Sequence, residues 1–180
     1  MNKILIFAAA AALSAIASPV FAEDSGAFSP TTFYGNLGGT VYHLDVGVAS
    51  ANAVGIGGRL GARFGKYLGV EGELGVGVNN ATFAPGVSAK VDSAYGAYAV
   101  GFLPVAPNAD LFARVGYGRT HMTVNIPGGS ASGSDDAVNY GGGGQYFFSA
   151  KDGVRVDYTR VHSTTNGNTN TFSLAYVRKF

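Results

Sequence analysis

Residues 56–64 read Ile-Gly-Gly-Arg-Leu-Gly-Ala-Arg-Phe, and residues 70–76 read Val-Glu-Gly-Glu-Leu-Gly-Val. In the first stretch Arg59 and Arg63 are out of phase with the large apolar residues, and in the second Glu71 and Glu73 are. Because successive side chains of a β-strand point to opposite faces, each stretch predicts a strand with one charged face and one apolar face.

Two later stretches repeat the alternation, around Arg114 and over residues 154–158. The charged residues of all four stretches therefore share one kind of face, and we call them the interior charge set: Arg59, Arg63, Glu71, Glu73, Arg114, Arg155 and Asp157. The alternation does not by itself say which face is inside the fold.

The first 22 residues have the layout of an export signal. Lys3 supplies a positive start, residues 4–16 are apolar, and the segment ending at Ala22 precedes the acidic Glu23. We predict cleavage after Ala22 and one mature domain over residues 23–180. The apolar run is too short to cross a bilayer, which takes roughly 20 apolar residues in a helix, and no later run approaches that length.

The composition excludes several classes of protein. Removal of Lys3 leaves 11 basic and 11 acidic residues, so no net field recruits nucleic acid. Cysteine is absent, which excludes disulfides and thiolate metal sites. Many of the 28 glycines lie inside the alternating stretches, and each would cost a helix about 1 kcal/mol relative to alanine. The chain is therefore predicted to be all-β.

Eight strands are predicted, over residues 33–42, 54–64, 68–78, 91–103, 111–122, 138–148, 154–161 and 171–180. The fourth has no settled phase, because Tyr95 and Tyr98 fall on opposite faces. Connections of nine to fifteen residues alternate with connections of three to seven. This asymmetry predicts an antiparallel up-and-down barrel with short turns at one end and four longer loops at the other.

Such a barrel can be oriented in two ways. A soluble exported barrel would fill its interior with the apolar set and show its charges to water. A membrane barrel has the opposite arrangement, and strands of about 9 to 11 residues match a tilted bilayer crossing. An even strand count also lets the sheet close, so that no backbone group is left unpaired in hydrocarbon. With the aromatic end at Phe180, these features favour the membrane orientation.

The chain resembles the small eight-stranded outer-membrane barrels related to the OmpA transmembrane domain and the OmpX and opacity-protein group. The resemblance is carried by Phe180 and by five stretches in this order: residues 33–38, 60–64, 68–71, 111–118 and 156–160. The resemblance spans the mature chain. It implies a location in the Gram-negative outer membrane, with periplasmic turns and extracellular loops. It also implies that the last strand is read by the assembly machinery through Phe172, Leu174, Tyr176 and Phe180. Arg178 departs from that pattern by placing a cation third from the end.

The expected function follows from a filled interior. Eight strands leave a lumen just wide enough for side chains, so we expect the interior charge set to pair and plug it. The resemblance implies a role in envelope integrity, adhesion or as a surface antigen. It also implies contacts with outer-membrane lipid and lipopolysaccharide, the assembly machinery and an extracellular ligand or host surface. We expect a monomer with no cofactor and no nucleic-acid partner.

Two other functions stay open, a small porin-like channel and a lipid A-modifying enzyme. One deacylase family of such barrels uses a His-x-Ser arrangement with a distant Glu, whereas this chain has His162-Ser163-Thr164 and no Glu after Glu73. The spacing of His43, His121 and His162 is too irregular to predict a metal site. We therefore expect no enzymatic activity.

Overall fold

The computed structural model describes residues 31–46, 49–163 and 168–180. The predicted export signal and its cleavage site lie outside these residues. The described chain forms nine β-strands: β1 Thr31–Val46, β2 Ala49–Phe64, β3 Leu68–Gly77, β4 Asn80–Ala84, β5 Val87–Ala106, β6 Ala109–Ile126, β7 Gly129–Phe147, β8 Asp152–Ser163 and β9 Asn168–Lys179. Within these ranges no helix is long and apolar enough to cross a membrane.

The strands form one closed antiparallel wall. β1 pairs with both β2 and β9, and β3 pairs with both β2 and β5, so the ladder runs all the way around. β4 follows β3 after a break at residues 78 and 79 and also pairs with β5, so β3 and β4 occupy one position in the wall. The predicted eight-stranded up-and-down barrel is confirmed.

The wall is apolar outside and polar inside. Leu60 and Leu74 point outward and are 72% and 70% exposed, whereas Arg155 points inward and is 0% exposed. Tyr34 is buried inside, next to the exposed Phe33, as the alternation predicts. This is the reverse of a water-soluble barrel and suits a wall surrounded by hydrocarbon.

The two ends of the barrel differ. At the turn end, short turns at residues 65–67, 107–108 and 148–151 join neighbouring strands. At the hairpin end, β4 and β5 meet at residues 85–86, and β6 and β7 meet at residues 127–128. Gly86 and Gly128 have φ values of 78° and 96°, a left-handed conformation that glycine adopts without steric cost.

Strands continue into the predicted loops at the hairpin end, so the predicted boundaries there are wrong. β6 runs to Ile126 rather than to residue 122, and β7 begins at Gly129 rather than at residue 138. The serines and glycines of residues 129–136 carry little strand propensity. Their pairing with β6, from Ile126 opposite Gly129 to Arg119 opposite Asp136, holds them in the sheet.

A bulge in β5 changes the phase of the fourth predicted strand near its hairpin end, whereas Tyr95 and Tyr98 lie on the same side of the bulge and simply face opposite ways. The register with β6 shifts between Val91 and Ser93, so Asp92 is an extra residue. On the turn-end side of the bulge Tyr98 is buried and Tyr95 is exposed, whereas on the hairpin side the odd-numbered Val91 is the buried residue. One extra residue reverses the alternation because its period is two.

β4, β5, β6 and β7 extend together at the hairpin end, where Ala81 of β4 also packs against Ala51 and Ala53 of β2. Among the described residues β8 pairs with β7 from Ala137 onward, so the backbone of residues 129–136 pairs with β6 alone. The two tips touch, since a Cβ placed on Gly86 would lie 3.1 Å from Cγ of Pro127. The projection is therefore one four-stranded sheet rather than separate loops, and we call it the projecting sheet.

We expect the processed chain to stay dispersed only in the presence of an amphiphile, because its exposed wall is apolar. The closed ladder should also persist in unheated dodecyl sulfate, so that unheated and boiled samples migrate differently on a gel. Gel filtration with and without detergent measures the first property, and electrophoresis measures the second. A monodisperse protein in detergent-free buffer would show that the orientation of the two faces is wrong.

Candidate functional site

Six charged side chains from β2, β3, β6 and β8 meet in the middle of the lumen. They alternate in sign and close on themselves, and we call them the charge ring: Arg59, Glu73, Arg114, Glu71, Arg155 and Asp157. The alternating stretches of sequence that predict the strands thus supply all members of the ring.

Glu73 joins two of the cations. Arg59 Nε lies 2.5 Å from Glu73 Oε2, and Arg114 Nη2 lies 2.8 Å from the same oxygen. On its other side Arg59 donates to both oxygens of Asp157, at 2.7 and 3.1 Å. Arg114 Nη1 lies 3.6 Å from Glu71 Oε2. These contacts bring together strands that are far apart in the chain.

Arg155 completes the ring and is fully buried. Its Nη1 and Nη2 donate to the two oxygens of Glu71 at 2.6 and 3.2 Å. Its Nε lies 3.8 Å from Asp157 Oδ2. The guanidinium also lies 3.8 Å from the centroid of the Phe112 ring, within the range of a cation–π contact.

The ring is electrically neutral, with three guanidinium groups and three carboxylates. A buried charge is costly unless it is paired and hydrogen-bonded. Here every cation faces two carboxylates and every carboxylate faces two cations. Loss of any one member would leave two buried neighbours with a single partner each.

Neutral side chains add hydrogen bonds to the ring, although Arg114 Nη1 and Arg155 Nε have charged neighbours and no hydrogen-bond partner among the described residues. Tyr34 Oη donates to Glu71 at 2.8 Å, and Arg114 Nε donates to Thr159 Oγ1 at 3.2 Å. The Tyr98 ring lies 4.0 Å from the Arg114 guanidinium carbon. Tyr34 and Tyr98 thus hold ring members from the turn-end side of the lumen.

Glycines make room for the ring. Gly143 lies opposite Asp157 in the β7–β8 pair, and a Cβ there would lie 2.8 Å from the Asp157 Cβ. A Cβ on Gly61 would collide with the Tyr34 ring. The glycine run over residues 141–144, predicted to be strand, is strand in β7, and a Cβ on Gly141 would collide with the β8 backbone at Tyr158.

Arg63 belongs to the predicted interior charge set but lies apart from the charge ring. Its Nη1 and Nη2 donate to the two carboxylate oxygens of Asp110 at 2.9 and 3.1 Å. Gln145 donates to the same carboxylate at 2.9 Å. The sequence predicts a turn at Asp110, because the fifth predicted strand begins at residue 111, although Asp110 has the same parity as Phe112 and Arg114. Extending that parity by one step would have placed Asp110 inside.

Apolar side chains pack in the lumen on both sides of the charge ring. Toward the turn end they form a cluster of Tyr34, Tyr98, Val100, Phe102, Phe112, Phe147 and Val177. Toward the hairpin end Ala51, Ala53 and Ala81 pack with Tyr42 and Met122. An apolar cluster thus lies on each side of the charge ring, and the Arg63–Asp110 ion pair lies beside the turn-end cluster, with Arg63 over the Phe102 ring.

The predicted assembly residues lie in a stripe on the outer face of β9. All four are exposed: Phe172, Leu174, Tyr176 and Phe180. Phe172 packs on Tyr158 with ring centroids 5.0 Å apart. The backbone of Phe180 donates to the carbonyl of Phe33 at 2.9 Å, so the ladder with β1 extends to the last residue.

Arg178 lies at the turn-end rim and faces an acidic residue. Its Nη1 lies 3.2 Å from Oδ1 of Asp152, its partner across the β8–β9 pair. Asp152 is beside the turn, before the outward apolar residues of β8 begin at Val154. Hydrogen bonds from Tyr176 and Ser149 hold the pKa of the Asp152 carboxyl below its usual range. The ion pair explains how a cation is accommodated third from the end.

The histidines are on separate strands, His43 on β1, His121 on β6 and His162 on β8. His43 Nδ1 lies 2.7 Å from the Asn52 side-chain oxygen, and His121 Nδ1 lies 2.7 Å from Ser134 Oγ. Across the described part of the chain, no three His, Cys, Asp or Glu residues are grouped so that they would hold a metal ion.

Comparisons with known proteins agree with this architecture. A family model described as "Outer membrane protein beta-barrel domain" matches residues 8–180. No curated protein matches the sequence.

Three solved structures are similar to the chain. Ail, the attachment invasion locus protein of Yersinia pestis, solved with the heparin analogue sucrose octasulfate, has a TM-score of 0.66 and 16% identity, covering 83% of this chain and 99% of that one. Neisserial surface protein A has a TM-score of 0.62 and 13% identity, covering 84% and 98%. The N-terminal β-barrel domain of Pseudomonas aeruginosa OprF has a TM-score of 0.57 and 12% identity, covering 83% and 97%. At these identities the likeness is one of fold.

Glu71→Gln should lower the free energy of unfolding by about 3 to 5 kcal/mol, because it removes the bidentate partner of the fully buried Arg155 and leaves Arg155 and Arg114 with one carboxylate each. Asp92→Asn is the matched control, since Asp92 is exposed and accepts one hydrogen bond, from Thr123 at 2.7 Å. Its effect should stay below about 1 kcal/mol. The chain has no tryptophan, so urea unfolding in detergent micelles is followed by circular dichroism. Equal unfolding midpoints for the two variants would argue against a stabilising charge ring.

Proposed function

This chain belongs to the family of outer membrane protein beta-barrel domains, and from that membership we propose that it is a non-conducting outer-membrane protein that acts through its exposed projecting sheet. In barrels of this class the short turns face the periplasm and the longer connections face the exterior. The turn end is then periplasmic, and the projecting sheet stands on the cell surface.

The charge ring is the observation that carries the closed-lumen proposal. An eight-stranded wall leaves an interior just wide enough for side chains, and here three ion-paired arginines occupy the middle of it. A hydrated ion crossing this layer would have to separate ion pairs whose three arginines are buried, which costs free energy because a buried charge needs its partner. The apolar layers on either side add two further barriers.

The projecting sheet supports a surface-interaction role. Pairing across four strands and contact between its tips make it a stiff platform rather than a set of independent loops. Ile126 and Val124 are 54% and 39% exposed on it, beside a stretch of serines and glycines in β7. Exposed apolar groups beside small polar ones suit contact with a protein surface, such as a host or neighbouring envelope protein.

Charge distinguishes this surface from a binder of sulfated glycans. The structure of the attachment invasion locus protein contains a heparin analogue. In this chain the projecting segments, residues 80–92 and 119–136, carry Lys90 and Arg119 against Asp92, Asp135 and Asp136. A surface with an excess of acid repels a polyanion, so the proposed partner is a protein rather than a sulfated polysaccharide.

The proposal includes no catalytic role. His162 and Ser163 are consecutive residues of β8 and therefore point to opposite faces of the wall, so this histidine is not placed to act as base for that serine. The Ser163 hydroxyl donates to Asp135 instead. We also propose a monomer, because closure of the barrel wall leaves no strand edge in the membrane for a second copy to pair with.

In planar bilayers the wild-type protein should show no steady open conductance. Arg59→Ala combined with Asp157→Ala should open the lumen and raise the conductance, because both members of one pair leave together. Glu73 keeps Arg114 and Arg155 keeps Glu71, so the double variant is expected to fold, which its heat-dependent gel shift checks. A steady nanosiemens-scale conductance of the wild type would contradict the role given to the ring. A double variant that folds and shows no conductance would contradict it as well.

Single cysteines should report which end faces outward, because the natural chain has none. Gly129→Cys on the projecting sheet, where a Cβ meets nothing within 4 Å, should react with a membrane-impermeant maleimide on intact cells. Asn108→Cys, in a turn at the other end, should react only after the envelope is opened. Labelling of Asn108→Cys on intact cells would reverse the proposed orientation.

A further inference from the structure

An apolar groove of about 640 Å³ crosses the outer face of the wall from β7 to β2. Its side chains include Val41, Val54, Val156, Tyr158 and Phe172. Gly39 and Gly142 also line it and present no side chain, so the wall is recessed between the flanking valines and aromatic rings. The groove is shallow and open along the outer face, so an occupant would lie along the wall rather than be enclosed by it.

A cation stands at the hairpin-end limit of this groove. Arg160 is two residues beyond Tyr158 on β8 and shares its outward parity, which places the two Cα atoms about 7 Å apart. Within the described chain Arg160 has neither an ion pair nor a hydrogen bond. The other outward arginines differ, since Arg119 pairs with Asp136 at 2.6 Å and Arg178 pairs with Asp152 at 3.2 Å.

The two cross-strand partners of Arg160 supply hydrogen-bond donors and no carboxylate. Its partners across the two strand pairs are Tyr140 on β7 and Asn170 on β9. Asn170 is held in place because its side-chain oxygen accepts the Tyr158 hydroxyl at 2.7 Å. That bond leaves the amide N–H groups of Asn170 available beside the guanidinium.

We propose that this groove and Arg160 together form a binding site for one phosphate-bearing glycolipid of the outer leaflet. The phosphate is bound by Arg160 and the Asn170 amide, and an acyl chain lies in the groove beneath. A guanidinium binds phosphate through paired N–H donors, and an unpaired cation at the edge of hydrocarbon gains most from such a partner. The site rests on the proposed function only in that the hairpin end must face the exterior.

Groove and cation each favour a lipid over a soluble anion. A free phosphate would use Arg160 and leave the groove empty, whereas a neutral chain would fill the groove and leave the cation unused. Their arrangement on one face, the cation toward the headgroup level and the recess toward the bilayer middle, matches a molecule with a charged head and an apolar chain. We therefore assign the site to the glycolipid rather than to inorganic phosphate.

The test measures lipid binding to the folded mature protein in detergent by native mass spectrometry, with bisphosphorylated hexa-acyl lipid A as the probe. Arg160→Gln should weaken binding about tenfold, the effect expected for one lost charged contact. It should not change the binding of the same lipid after its phosphates are removed. Gly39→Leu should weaken the binding of both lipids, because its side chain fills the groove.

Gly39→Leu should fold, since a Cβ there meets only the carbonyl oxygen of Gly55, at 3.9 Å. Gly101→Leu is its control, on the outer face of β5 with nothing within 4 Å of a Cβ. Arg178→Gln is the control for Arg160, being an outward arginine at the opposite rim. Both controls should bind the two lipids as the wild type does.

Several results would overturn the site. Equal weakening by Arg160→Gln and Arg178→Gln would mean diffuse attraction of anionic lipid. Equal behaviour of Gly39→Leu and Gly101→Leu would remove the groove from the site. Displacement of the lipid by millimolar inorganic phosphate, or equally tight binding of phosphatidylglycerol, would remove the assignment to a glycolipid. A reversed orientation would appear separately, as labelling of Asn108→Cys on intact cells.

Discussion

Closure of the backbone ladder is the constraint on which the rest of this molecule depends. In hydrocarbon an unpaired N–H or C=O costs several kcal/mol, and the pairing of β1 with β9 removes the last free edge of the wall. Closure with eight strands also makes the lumen narrow. Side chains from opposite walls then meet, and Arg59 of β2 reaches Asp157 of β8 although 98 residues separate them in the chain.

The two faces of the wall solve opposite solvation problems. Outside, Leu60 and Leu74 meet lipid without any cost of desolvating polar groups. Inside, Arg155 and Glu71 are fully removed from water, and they are tolerable there because each has charged and hydrogen-bonding partners. A neutral ring of alternating charges satisfies this condition for all its members at once. An apolar lumen would need no such pairing. However, each strand would then have two apolar faces, and nothing would determine which face turns toward the lipid.

The ends of the barrel are differentiated by local chain chemistry. Turns of two to four residues close one end. At the other end the extra residue Asp92 reverses the alternation in β5, and the strands continue into the projecting sheet. In the wall, apolar side chains therefore face lipid and polar side chains face the lumen. In β5 beyond the bulge the alternation has the opposite phase, so the projecting sheet does not follow the same pattern. The arginine above the outer groove, Arg160, lies where these two parts of the surface meet.

Strand location and the direction of each side chain follow from the sequence, because alternation has a period of two and is readable within a few residues. That is why Arg59, Glu71, Arg114 and Arg155 were predicted to share one kind of face, which the strand lengths and the aromatic end at Phe180 then favoured as the interior. The same reasoning failed for residues 129–136, since serine and glycine carry no apolar pattern to read and only pairing with β6 makes them strand.

Partner choice was decided by the tertiary structure. Arg63 pairs with Asp110, 47 residues away in the chain. It does not pair with Glu71 or Glu73, although both lie on the neighbouring strand β3. Such pairings depend on how far the strands are staggered and how tightly the wall curves, and these are properties of the closed cylinder as a whole. The local sequence determines which charged side chains share a face. Which of them form ion pairs is determined only when β9 pairs with β1 and the barrel closes.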